Sequence, residues 1–172
     1  MFHREQGCDC IAELDSQQII EYFHRCYKAV DGLWFMKVEE KIGFDPALDV
    51  DNEVWKVMPK IQARMIKSMP KLNNGSDALF KGLTTKLELE GFKFKAEKNE
   101  NGFRITIKDC PWHNLMIKSG REKLSGIVGT TICGTEYQVW VSEFDETMHF
   151  KLKSQKCKES KYCILDFERR PI

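Results

Sequence analysis

Near residue 91 the chain changes its hydrophobic period, and that change constrains the fold more than any other feature. Phe92, Phe94 and Ala96 alternate with Lys93, Lys95 and Glu97; after Asn99-Glu100-Asn101-Gly102, Phe103, Ile105 and Ile107 alternate with Arg104, Thr106 and Lys108. Period-two alternation sends successive side chains to opposite faces, and Asn-Gly supplies the backbone freedom a tight turn needs. The stretch predicts a β-hairpin with one buried face. A lone hairpin is marginal in water, so other segments must cover that face.

The chain before the hairpin reads as helix. Asp15 or Ser16 starts a first helix whose apolar face is Ile19, Ile20, Phe23, Tyr27 and Val30, with His24 and Cys26 near it. Asp31-Gly32 interrupts the pattern, and Leu33-Trp34-Phe35-Met36 opens a second helix that Gly43 ends. Its charges read as a solvated face, with Glu39 a possible proton carrier beside the aromatics. Asp45-Pro46 starts a short turn and Asp51 caps the next helix, where Pro59 predicts a kink or a restart. Arg64 on that stretch is a candidate anion partner. Ser76 then caps a helix carrying Ala78, Leu79, Leu83 and Leu87.

After the hairpin, Asp109-Cys110-Pro111 ends the second strand, and Thr130 to Phe144 reads as a helix with Gly126, Gly129 and Gly134 in or beside it. Small residues there permit close approach of another backbone or a ligand. Met148, Phe150 and Leu152, then Cys163, Leu165 and Phe167, alternate as a second hairpin, with His149 facing outward. The expectation is one α+β domain over residues 1–172: a helical part over 15–90, and a hairpin-helix-hairpin part over 91–172. The helices would pack on one face of an antiparallel sheet built from the two hairpins.

Net charge is +1, which excludes the basic field that non-specific nucleic-acid binding needs. No apolar run reaches the roughly 20 residues of a membrane span, and the N-terminus has no signal-like apolar region, so the expected compartment is the cytoplasm. Seven cysteines cannot all pair within one chain, and a reducing compartment turns the expectation toward metal binding or redox chemistry. Cys8 and Cys10 sit in a polar arm and read as inert. Cys110, Cys133, Cys157 and Cys163 each fall beside a structural boundary, and convergence of a loop, a helix and a hairpin tip would bring them to one ion. Four thiolates suit tetrahedral zinc or, alternatively, an iron–sulfur cluster. Cys133 and Cys163 could instead be small buried hydrophobes. A rival reading makes Cys110 a nucleophile activated by His113, with Glu136 near in sequence. No phosphate loop, HExxH or GxSxG motif is present.

Asp31-Gly32-Leu33-Trp34-Phe35, Val38-Glu39-Glu40, Gly43-Phe44 and Val54-Trp55 resemble the opening of a prokaryotic family described as related to L-2-amino-thiazoline-4-carboxylic acid hydrolase. Cys110-Pro111-Trp112, Ile132-Cys133, Tyr137, Trp140, Phe144, Cys157 and Tyr162 to Phe167 extend the resemblance over most of the chain. The last third also resembles the 4-vinyl-reductase, or hydrocarbon-binding, domain. In phenol sensors of that superfamily three cysteines and a glutamate hold zinc. Cys133, Cys157 and Cys163 match the cysteines by position, but Ser154 stands at the glutamate's place. That departure makes Cys110 the replacement ligand, with Glu136 or His113 behind it.

The resemblance implies an apolar pocket between helices and sheet, with Trp34, Trp112 and Trp140 as its binding aromatics. It further implies hydrolysis of a C–N or C–S bond in a small heterocycle, with His113 and Glu136 moving protons. Two other readings stand beside it: a non-catalytic sensor or carrier of an apolar molecule with structural zinc, and an iron–sulfur redox protein. The expected partners are a small molecule and a second copy of the chain, with neither nucleic acid nor membrane.

Overall fold

The computed structural model describes residues 12–158 and 160–170. Cys8 and Cys10 lie outside them. Helix α1 spans Ser16–Ile42, α2 Phe44–Trp55, α3 Met58–Ser68 and α4 Ser76–Leu89. Strands β1 (Lys93–Asn99) and β2 (Gly102–Asp109) follow, then α5 (Pro111–Lys118), a 3-10 turn (Glu122–Leu124) and α6 (Ser125–Phe144). Strands β3 (Met148–Ser154) and β4 (Cys163–Arg169) complete an antiparallel sheet of order β1-β2-β4-β3. The chain is therefore α+β, with both predicted hairpins in one sheet.

The two hairpins join along β2 and β4, and the register decides which residues face the helices. Phe103 pairs with Phe167, Ile105 with Leu165 and Ile107 with Cys163. These alternate residues form one inner row, which β3 extends with Phe150 opposite Phe167 and Leu152 opposite Leu165. Leu79, Leu83 and Leu87 of α4 and Tyr137, Trp140, Val141 and Phe144 of α6 close over the row to make the main core. At Gly102 the backbone has φ +153°, and a Cβ would stand 2.0 Å from the Phe167 carbonyl oxygen. Only glycine fits that turn-to-strand junction.

Helix α1 departs from expectation twice. Asp31-Gly32 does not break it. The helix runs unbroken to Gly43, started by a capping box between Asp15 and Gln18. One interior glycine costs about 1 kcal/mol, which a 27-residue helix tolerates. The face assignment also inverts. Ile19, Tyr22, Phe23, Val30, Leu33 and Trp34 are 38–64% exposed, and α1 has no fully buried residue. The face turned toward the protein carries His24, Tyr27, Asp31, Phe35 and Val38.

Other elements fall close to their predicted places. The chain breaks after Trp55 and restarts with Pro59 in the first turn of α3. Gly75, rather than Ser76, occupies the cap position of α4. Helix α6 begins at Ser125, five residues before its predicted start at Thr130. Arg64 forks onto Glu143, and Glu39 accepts from Arg121, so surface pairs account for both. His149, expected to face outward, is half-buried beside Glu168.

Candidate functional site

One cavity of about 130 Å³ opens between α1, α2, α5, α6 and the end of the β2–β4 pair. Helix α6 builds its longest wall. Val128, Gly129, Ile132, Cys133 and Glu136 recur at three- and four-residue spacing and line the cavity. Further along the same inward side of α6, Trp140, Val141 and Phe144 fill the core. The inward side is largely apolar over its whole length, so α6 lines the pocket with its first half and packs the core with its second, and Tyr137 belongs to both. Helix α5 adds Trp112, His113 and Met116, α2 adds Asp51 and Trp55, and α1 adds Asp31.

All four cysteines line this cavity, along with His113, Glu136 and Trp112. Cys163 arrives there because it is the last inward residue of the β4 row, opposite Ile107. The backbone N–H of Lys156 donates to its Sγ at 3.2 Å. Cys157 sits on the adjoining loop, which crosses α6 at Gly126, where a Cβ would lie 3.1 Å from the Cys157 carbonyl oxygen. Glycine therefore permits the close backbone approach expected there. Cys110 is the N-cap of α5, and its thiol makes no cap hydrogen bond to the first turn.

Two expected pocket aromatics lie elsewhere. Trp34 stands on the outer face of α1, and Trp140 is fully buried in the core between Phe144 and the helices. Trp55 fills the aromatic role instead, edge-on to Trp112 at 6.0 Å between ring centroids. Sequence reasoning also passed over Asp31, Asp51, Tyr137 and Lys86. Lys86 had a readable signal: it falls at helical spacing between Leu83 and Glu90 on the apolar side of α4.

Lys86 anchors a buried ion network. Its Nζ contacts Glu136 Oε1 and lies 3.0 Å from Glu90 Oε2, and the three residues are only 3%, 5% and 8% exposed. Burial opposes the Lys86 ammonium, but the two carboxylates outweigh it and raise its pKa. Burial raises the Glu136 carboxyl, against the pull of Lys86. Burial also pushes the Cys110 thiol up to about 11 and lifts Cys133, Cys157 and Cys163 above the ordinary range. Asp31 is raised to about 6 by burial alone. Asp51 is raised to about 7 by burial and then by Asp31, against a hydrogen bond from Trp55.

The wall is therefore soft and apolar, with neutral thiols that pack as small hydrophobes. In kind the thiols suit a soft metal. In arrangement, no group of three His, Cys, Asp or Glu is placed to hold an ion among the described residues.

No helix among the described residues is long and apolar enough to cross a membrane. No curated protein and no solved structure matches the chain. A family model does match, over residues 11–168, and this covers both helical and hairpin parts and every wall of the cavity. The chain belongs to that family, DUF6125, a family of unknown function.

Proposed function

We propose that this protein is a binding module for a small, largely apolar molecule, and that the cysteine-lined cavity is its site. The single observation that carries this reading is the partly open apolar pocket itself, walled by Trp55, Trp112, Val128, Ile132 and protonated thiols. At about 130 Å³ it is close to the size that holds one benzene ring, about 150 Å³. Of the groups expected to serve hydrolysis, Glu136 is held by Lys86 and the Cys110 thiol is kept protonated at neutral pH, so neither supports that reading over binding. Calorimetric titration with benzyl alcohol tests it. Saturable binding that Val128→Phe abolishes, with the fold intact by circular dichroism, is the expected result. No heat of binding to wild type would contradict it.

The presence of four thiols around one cavity favours a second reading, a metal–thiolate site, in which Cys133, Cys157 and Cys163 would have to draw together around zinc or a cluster. Metal analysis and the visible spectrum of anaerobically purified protein, beside Cys157→Ser, decide it. One metal per chain, lost in the variant, would establish the site, and equal metal content in both would exclude it.

The outer face of α1 supports a homodimer. Exposed Ile19, Cys26 and Leu33 recur every seven residues, with Tyr22 and Ala29 beside them, which is the spacing of a coiled-coil seam. From their exposures these side chains and their neighbours leave roughly 700 Å² of apolar surface uncovered, more than monomers usually leave and close to one side of a standard interface. Arg25, Lys28, Lys37 and Lys41 are balanced on α1 by Glu21, Asp31, Glu39 and Glu40, so the helix lacks the basic face of a membrane-surface helix. A second copy is the occupant. Sedimentation should give a dimer at micromolar concentration and a monomer for Phe23→Glu/Trp34→Glu. A wild-type monomer would refute the interface.

A further inference from the structure

One end of the cavity carries two carboxyls that no basic side chain among the described residues neutralises. Asp31 from α1 and Asp51 from α2 both line it, on the side held by Trp55 and Trp112. Both are half-buried. Neither forms an ion pair with a lysine, arginine or histidine among the described residues, and Asp51 has a single hydrogen bond, from Trp55. The other titratable groups lining the chamber are His113 on α5, Glu136 and Tyr137 on α6, Lys156 beyond β3 and the four cysteines, and Tyr27 of α1 lies near Asp31. Glu136 is occupied by Lys86, and Lys156 Nζ lies 3.4 Å from the Lys108 carbonyl oxygen. Two carboxyls driven together into an apolar enclosure are costly unless a cation completes them.

A second and independent observation points to a ligand. Tyr137 is 2% exposed and lines the same cavity, yet its hydroxyl makes no hydrogen bond among the described residues. The hydroxyl has access to the chamber and no partner in its walls, so what it bonds is whatever occupies the chamber. The chamber thus presents an anionic end, an aromatic and thiol-lined body, and a lone hydroxyl. A hard divalent ion is a poor fit, because it needs six or more oxygen ligands and the walls offer few. An organic cation fits on every count: its nitrogen donates to two carboxylates, and the faces of Trp55 and Trp112 suit a cation beside them.

We propose that the cavity takes a small organic ammonium or amidinium ion of about one ring in size, its apolar body against α6 and its charged nitrogen between Asp31 and Asp51. This rests on the reading of the cavity as a small-molecule site and names the class of molecule. Tyr137 would hydrogen-bond a polar group at the far end of the ligand.

The test compares benzylamine with benzyl alcohol by calorimetry on the full chain. The two probes match in shape and differ in charge. At about pH 8, where both carboxyls are ionised, benzylamine should bind about 10- to 100-fold tighter, the range expected for hydrogen bonds to charged groups. The advantage should shrink as pH falls through the Asp51 and Asp31 values of about 7 and about 6. Asp31→Asn/Asp51→Asn, with the fold intact by circular dichroism, should bind the two probes equally. His113→Gln should keep the wild-type pH profile, which separates the aspartates from the imidazole. Equal binding of the two probes to wild type would overturn the cation assignment and leave the pocket standing. Failure of both probes to bind would overturn the pocket as well.

Discussion

Replacing Lys86 with Met removes the one cation from a buried cluster of three ionisable groups. Glu136 and Glu90 are left facing each other with almost no access to water. The folded variant must then hold an unpaired carboxylate or take up a proton. Protonating one carboxyl from its ordinary value of 4.5 at about pH 7 costs roughly 3 kcal/mol, at 1.36 kcal/mol per pH unit. Direct removal of one partner from a buried ion pair costs about 3–5 kcal/mol, so the two estimates agree. The pH dependence follows from the same carboxyls. Burial already raises the Glu136 carboxyl above its unfolded value, so the folded variant binds the extra proton there, and its stability falls as pH rises above about 4.5. Wild-type Lys86 stays charged throughout, because its pKa is raised above the ordinary 10.5. Urea unfolding should therefore show a deficit of about 3 kcal/mol at pH 7, shrinking below about 1 kcal/mol at pH 5. Lys86→Met/Glu136→Leu should recover much of the loss at pH 7. A deficit under about 1 kcal/mol at pH 7, or one that does not change with pH, would refute a buried ion cluster.

Gly102→Ala should lose at least about 2 kcal/mol by urea unfolding, since its Cβ would meet the Phe167 carbonyl oxygen at 2.0 Å; a loss under about 0.5 kcal/mol would show that the hairpins are not joined at this register. Asp15→Ala removes the capping box and should cost α1 about 1 kcal/mol, read as faster amide exchange in its first turn with no change in the sheet. In alkylation followed by peptide mass mapping at neutral pH, exposed Cys26 should react well ahead of Cys110 and Cys133, and Cys110 labelling should accelerate as pH rises toward about 11. Rapid labelling of Cys110 at neutral pH would instead identify an activated thiolate.

Much of the sheet was legible because its determinants are local. Asn101-Gly102 set the first turn, and alternation set the inward rows of both hairpins, including Cys163 as the last inward residue of β4. Helix α1 was misread because amphipathicity reports that an apolar face is covered but not by what. Its apolar stripe faces away from the protein, and the less apolar side with Tyr27 and Asp31 turns inward. The same inversion hid Asp31 as a pocket residue, since within the helical pattern an aspartate before glycine reads as a stop. At the site, cysteine placement beside structural boundaries pointed to one metal centre; Cys110, Cys133, Cys157 and Cys163 all line the cavity, with Trp112, His113 and Glu136, but no three of them are placed to hold an ion among the described residues. Trp34 and Trp140 were nominated by motif alone, and burial separated them from the cavity in opposite directions, one to the surface and one to the core. Trp55, Asp51 and Tyr137 come from elements far apart in sequence, and only their packing makes them neighbours.

Amide and indole chemical-shift mapping of the isotopically labelled chain during titration with benzylamine tests the central claim most directly. The account predicts saturable shifts grouped at Asp31, Asp51, the indoles of Trp55 and Trp112, and Cys133, with the outer face of α1 unmoved. Shifts confined to surface residues, or none at saturating benzylamine, would contradict it.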